Sequence, residues 1–119
     1  MVTDEVGSPT SAYSLADAAW ACARRRASGV HHWSDAGEIT RFECAEAIAH
    51  DAYRLGLLQA LPMLQRAHVA DFNSAAQRPA YSVLDTRETE CALGVSPLPW
   101  RDGLKLTLTK LTTKMESRQ

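Results

Sequence analysis

The sequence predicts a small mixed α/β domain of about four helices with two or three short strands. Apolar residues recur at helical spacing in separate stretches of the chain. Between them lie short β-prone runs bounded by turn residues. The length, 119 residues, suits one domain with room for a core, expected to span 1–111 with a frayed tail over 112–119. No internal repeat is present.

In chain order, Val2 reads as a strand end and Asp4 to Thr10 as a polar loop, with Thr10 as the N-cap of a first helix. That helix covers Ala12 to Arg26, with Leu15, Ala16, Ala19, Trp20 and Ala23 on its apolar face. Arg24, Arg25 and Arg26 complement the negative end of its dipole, and Gly29 is the expected stop. Val30 to Trp33 reads as a short strand and Ser34 to Gly37 as a turn. Thr40 and Glu43 have capping-box spacing. The helix they open should run to about Leu55, presenting Phe42, Ala45, Ile48, Ala49, Ala52 and Leu55, and end at Gly56.

Leu57 to Pro62 is a connector, Gln65 to Val69 a candidate strand and Asp71 to Gln77 an irregular loop. Tyr81 to Leu84 reads as a strand whose end, Val83 and Leu84, is buried. Asp85 with Glu88 repeats the capping logic for a short helix ending near Gly94. Pro97 and Pro99 break the chain before a last helix from Trp100, with Leu104, Leu108, Leu111 and Met115 in register. The alternation from Leu104 to Thr109 competes as a strand, and Gly103 weakens the helix. The helix is preferred because Pro99-Trp100-Arg101-Asp102 has the composition of a helix start.

Composition excludes several function classes. A net charge of −1 gives no bulk grip on nucleic acid or anionic lipid, and no apolar run reaches the roughly 20 residues of a membrane span. The first residues lack the basic and apolar regions of a signal peptide. Cys22, Cys44 and Cys91 form an odd set, which favours reduced thiols and a cytoplasmic location over a disulfide framework.

The missing chemistry is equally informative. Glycines at 7, 29, 37, 56, 94 and 103 never stand two apart, so no dinucleotide-binding turn exists. None of Tyr13, Tyr53 and Tyr81 has a lysine four residues on, where an ammonium would lower a phenol pKa for proton transfer. His31 and His32 would point to opposite faces of a strand and cannot easily share a metal. The cysteines, on helix faces, and Trp20, Trp33 and Trp100 read first as core residues, and Arg24 to Arg26 as a solvated helix end.

The best ligand candidate is Arg78. Pro79 pushes it toward extended backbone, and its planar fork suits phosphate or carboxylate. The competing reading is a surface arginine paired with Asp71 or Asp85. Ser8 and Thr10 offer hydroxyls near a helix N-terminus, where an anion can settle, although a plain helix cap explains them as well.

Several segments together resemble the C-terminal part of the dTDP-4-dehydrorhamnose reductases, of the extended short-chain dehydrogenase/reductase group. They are Val2 to Thr10, Gly29 to Gly37, Arg78-Pro79-Ala80-Tyr81-Ser82-Val83-Leu84-Asp85, Leu93-Gly94-Val95 and Pro99 to Leu104. The resemblance implies a family that reduces the 4-keto group of dTDP-4-dehydro-L-rhamnose with NADPH, the last step to dTDP-L-rhamnose for polysaccharides. It implies that the cofactor fold and a Thr/Tyr/Lys catalytic set sit in an N-terminal Rossmann domain, and that this chain corresponds to the substrate half. The expected ligand is a dTDP-sugar nucleotide, with Arg78 on its pyrophosphate and Ser8, Thr10 and Tyr81 beside it. No NADPH, catalytic or metal residue is expected on this chain alone. A truncated reductase is the leading expectation. A non-catalytic module that binds dTDP-sugars, or complements a separate Rossmann domain, is the alternative. Two departures from the family pattern are Glu5, usually Gln, whose charge would disfavour a nearby anion, and Cys44, usually aromatic.

Overall fold

The computed structural model describes residues 1–72 and 75–117. Its four helices are α1 (Ala12–Arg25), α2 (Arg41–Arg54), α3 (Arg87–Leu93) and α4 (Trp100–Glu116), with a 3-10 turn at Val69–Asp71. A two-stranded antiparallel sheet joins β1 (Val6–Gly7) to β2 (Ile39–Thr40), with Val6 opposite Thr40 and Gly7 opposite Ile39. This is the small mixed α/β domain that the sequence predicts.

The β structure lies elsewhere than expected. Val30 to Trp33 is not a strand, and Val30 is 86% exposed. The segment is held by a side chain instead, the His32 amide donating to Thr89 Oγ1 at 3.2 Å. Further along, Ala36 forms a parallel bridge with Pro99, the Ala36 amide donating to the Leu98 carbonyl and the Trp100 amide to the Ala36 carbonyl. The Gln65 to Val69 strand reduces to one bridge, Ala67 to Val2, and the Tyr81 to Leu84 strand to another, Tyr81 to Val6. Val83 is only half-buried and Leu84 is exposed, so neither is a buried strand end.

The helix caps shift by a residue or so. Ser11, not Thr10, caps α1 by accepting from the Tyr13 amide, and the helix stops at Arg26 in left-handed conformation, before Gly29. Thr40 caps α2 as expected, accepting from the Glu43 amide at 3.2 Å. Thr86 occupies the N-cap position of α3, while Asp85 accepts the Arg87 amide one step earlier and holds its guanidinium. That grip holds the Asp85 carboxyl at a pKa of about 2. Gly94 ends α3 with φ +64°. The tail expected to fray from Thr112 is helical as far as Glu116. Arg118 and Gln119, and Asn73 and Ser74 of the expected loop, lie outside the described residues.

Burial in α1 runs opposite to the expected stripe. Ser14, Ala18 and Ala21 face inward, while Trp20 is 66% exposed and Leu15 also faces out. Small side chains let α1 approach α3 and α4 closely, and the core forms around Ala18, Ala21 and Leu93, with Cys22, Ala27 and Trp33 packed against it. In α2, Phe42, Ala49 and Ala52 are buried as expected, whereas Ile48 and Leu55 are exposed. Among the cysteines, Cys91 is exposed rather than core.

Gly103, the residue that weakened the helix reading, explains itself. A Cβ there would sit 2.2 Å from Asp35 Oδ2. Asp35 is only 1% exposed, and that oxygen accepts the Ser11 amide at α1's start. The glycine lets α4 pass over a buried carboxylate that fixes the beginning of α1.

The molecule is a slab of 45 × 42 × 23 Å with a radius of gyration of 16.6 Å, against about 13.5 Å for a compact chain of this length. Its surface of 8649 Å² exceeds the roughly 6,400 Å² of a compact monomer of this mass.

Candidate functional site

Residues 1–7 are held on several sides. The Thr3 amide donates to Ala67 O at 2.7 Å and the Ala67 amide to Met1 O at 2.8 Å. Val6 sits between β2 and the Ala80–Ser82 segment, its amide donating to Ala80 O and its carbonyl accepting from the Ser82 amide. These bonds bring the polar loop, the first half of α2 and Arg78-Pro79 around one open groove of about 480 Å³, a size suited to a small ligand. Glu5, Ser8, Arg41, Cys44, Ile48 and Arg78 all border it. A second depression of about 470 Å³, reaching Val69 and Phe72, shares Met1, Glu5, Arg41 and Arg78 with the first.

Arg78 makes no side-chain hydrogen bond or ion pair among the described residues. Its two expected competitors are occupied: Asp85 is paired with Arg87 at 2.7 Å, and Asp71 accepts the His68 amide at 2.9 Å. A guanidinium with five donors and no acidic partner at the rim of a groove can take a phosphate or carboxylate.

The other candidates separate. Ser8 borders the same groove, with its hydroxyl donating to the Gly37 carbonyl at 2.6 Å. Thr10 does not border it. Its hydroxyl donates to Ser8 O and accepts the Asp35 amide, so it braces the turn. Tyr81 also lies off the groove rim and donates its hydroxyl to the Glu38 carboxylate, which pushes the phenol pKa up. Cys44 borders the groove, and burial raises its thiol pKa. Among the described residues no cluster of His, Cys, Asp and Glu could hold a metal, and no helix is long and apolar enough to cross a membrane.

The residue that sequence reasoning missed is Arg41. It sits inside the capping-box signal, which accounts for its neighbours and hides it. The sheet register explains its role: with Val6 opposite Thr40, the next residues out are Glu5 and Arg41. The Arg41 amide donates to Glu5 O, and Arg41 Nε lies 2.8 Å from Glu5 Oε2.

The model of the family described as the RmlD substrate binding domain matches residues 1–113. The chain belongs to the RmlD substrate binding domain family. One relative is the dTDP-4-dehydrorhamnose reductase of Aggregatibacter actinomycetemcomitans, 27% identical over 111 residues, covering 88% of this chain and 38% of that protein. Another is the spore coat polysaccharide biosynthesis protein SpsK of Bacillus subtilis (strain 168), 33% identical over 105 residues, covering 88% and 34%. The chain therefore spans a little over a third of these relatives.

Among solved structures, a dTDP-4-dehydrorhamnose reductase of Clostridium acetobutylicum superposes with a TM-score of 0.76 at 26% identity, covering 92% of this chain and 37% of that one. The dTDP-4-dehydrorhamnose reductase of Bacillus anthracis, solved in complex with NADP, shares the fold with a TM-score of 0.76 at 22% identity and the same coverage. The RmlD domain fold is thus common to all of them.

Proposed function

We propose that this chain is the sugar-nucleotide-binding portion of an NADPH-dependent dTDP-4-dehydrorhamnose reductase, acting in dTDP-L-rhamnose biosynthesis. The observation that carries the reading is the guanidinium of Arg78, without a partner among the described residues, on a groove of ligand size in a member of the RmlD domain family. Arg78 holds the diphosphate in a bidentate grip, and Ser8 lies along the same rim. Thr10 supports the loop that presents Ser8, and Tyr81 with Glu38 steadies the segment after Arg78.

NADPH is held outside these residues in this reading. Its support is the lack of a Gly-x-Gly turn and of a Tyr/Lys pair, together with a sheet that is antiparallel and two-stranded. A dinucleotide site is built on a parallel strand–turn–helix unit, so the residues present do not fit the cofactor. When bound to its own domain, the cofactor supplies hydride, and this chain supplies binding and orientation of the sugar nucleotide.

Calorimetric titration with dTDP-rhamnose tests the binding half. Wild type should bind, and Arg78→Ala should weaken binding on the order of tenfold or more, the worth of charge-assisted hydrogen bonds. Equal affinities would remove Arg78 from the site. The isolated chain should neither bind NADPH nor oxidise it with the keto-sugar, and measurable turnover would refute the reading.

A second reading, a module that docks on a separate Rossmann domain, is favoured by the extended surface and by the outward Leu15 and Trp20 of α1. Co-expression with such a domain should restore reductase activity, and Trp20→Glu should reduce that rescue without unfolding the chain.

A further inference from the structure

We propose that Arg41 sets the charge of the groove: by neutralising the buried Glu5 carboxylate it leaves the positive charge of Arg78 available to an anionic ligand. The inference rests on the sugar-nucleotide reading above, and concerns what makes the groove competent for a diphosphate despite a carboxylate in its wall.

The Glu5 side chain is only 11% exposed, while that of Arg41 is 55% exposed. A carboxylate so far out of water needs a partner, and left alone it would repel any anion that entered. The partner is fixed by the fold rather than by side-chain chance. The Val6 to Thr40 register places Glu5 and Arg41 at the same end of the two-stranded sheet, and their backbones are bonded there as well. Glu5, Arg41 and Arg78 each border both depressions. The formal charges of these three side chains sum to one unit positive. Without Arg41 their sum would be zero, with a bare carboxylate facing the ligand.

Among the described residues Arg41 has no second acidic partner. A guanidinium held by one carboxylate and half open to solvent retains donors for a phosphate oxygen. The charge account is nevertheless distinct from direct contact, because it makes the need for Arg41 conditional on Glu5.

That conditionality is the test. Titrations with dTDP-rhamnose compare wild type, Glu5→Gln, Arg41→Ala and the Glu5→Gln/Arg41→Ala double variant, with circular dichroism confirming the fold of each. Arg41→Ala should weaken binding tenfold or more. In the Glu5→Gln background the same change should weaken it no more than about threefold, since no charge is left to cancel. Arg41→Lys, which keeps the charge, should stay within about threefold of wild type. If Arg41→Ala does not fold, Arg41→Lys and the comparison of Glu5→Gln with the double variant carry the same prediction. Equal losses from Arg41→Ala in both backgrounds would overturn the proposal while leaving the sugar-nucleotide reading in place. No binding by wild type would overturn both. An unchanged affinity in Arg78→Ala would overturn the proposal whatever the Arg41 pattern, because the charge that Arg41 is said to free would then play no part in binding.

Discussion

On one side of the molecule α1, α3 and α4 meet through small residues, and Leu93 and Asp35 are each 1% exposed. On the other, β1, α2 and Arg78 surround an open groove whose wall carries an ion pair and whose rim carries a guanidinium without a partner among the described residues. The helical side holds the side chains most completely withdrawn from solvent. The groove side is open, with a few charged side chains set in a largely apolar wall. The difference is that between a scaffold, whose residues answer to volume, and a site, whose residues answer to charge. Substitutions should therefore divide: those on the scaffold should move stability, and those on the groove should move binding.

The largest effect should come from Leu93→Ala, which empties the best-buried side chain of the core. A loss of about 3 kcal/mol is expected, read from the urea midpoint, whereas Ile48→Ala in the groove wall, where the side chain is already exposed, should cost less than about 1 kcal/mol. Equal losses would break the division. Next comes Gly103→Ala. Its methyl would meet Asp35 Oδ2 at 2.2 Å, and overpacking against a buried carboxylate should cost about 2 kcal/mol, outweighing alanine's better helix propensity. A neutral result would mean that Asp35 can move. Thr40→Ala should cost about 1 kcal/mol through the lost cap of α2, and because α2 forms the groove wall it sharpens how far scaffold and site are coupled.

The smallest effect concerns pH. The Arg87 guanidinium and amide hold Asp85 at about 2, below its ordinary 3.8. A carboxyl depressed in the folded state stabilises it above the unfolded pKa, and that contribution fades as pH falls from about 4 to about 2. Asp85 is exposed, so solvent screens the effect. Asp85→Asn should slightly flatten acid unfolding in that window, and no change in the acid limb would show that the pair contributes nothing to stability.

Much of this was legible from the chain. Thr40 with Glu43, Gly94, and the Pro97 and Pro99 breaks are local signals, and the start of α2, the end of α3 and the start of α4 fall within a residue or two of expectation. Arg78 with Pro79, singled out in the sequence, borders the groove. Sequence periodicity failed on α1, where hydrophobicity pointed to Leu15 and Trp20 but burial went to Ser14, Ala18 and Ala21. The helix turns the face that permits close approach toward its neighbours, not its bulkiest face. Val30 to Trp33 had strand composition but found no strand to pair with among the described residues, and a strand is a relation between two segments.

By itself, then, the sequence determined most helix ends to within a residue or two and which arginine to suspect, because caps, turn residues and motifs act over a few neighbouring positions. Only the tertiary structure decided that Glu5 faces Arg41, that Gly103 makes way for Asp35 and that Thr10 braces a turn. Those outcomes depend on segments tens of residues apart meeting in one register, and a register is set by the whole set of packed elements together.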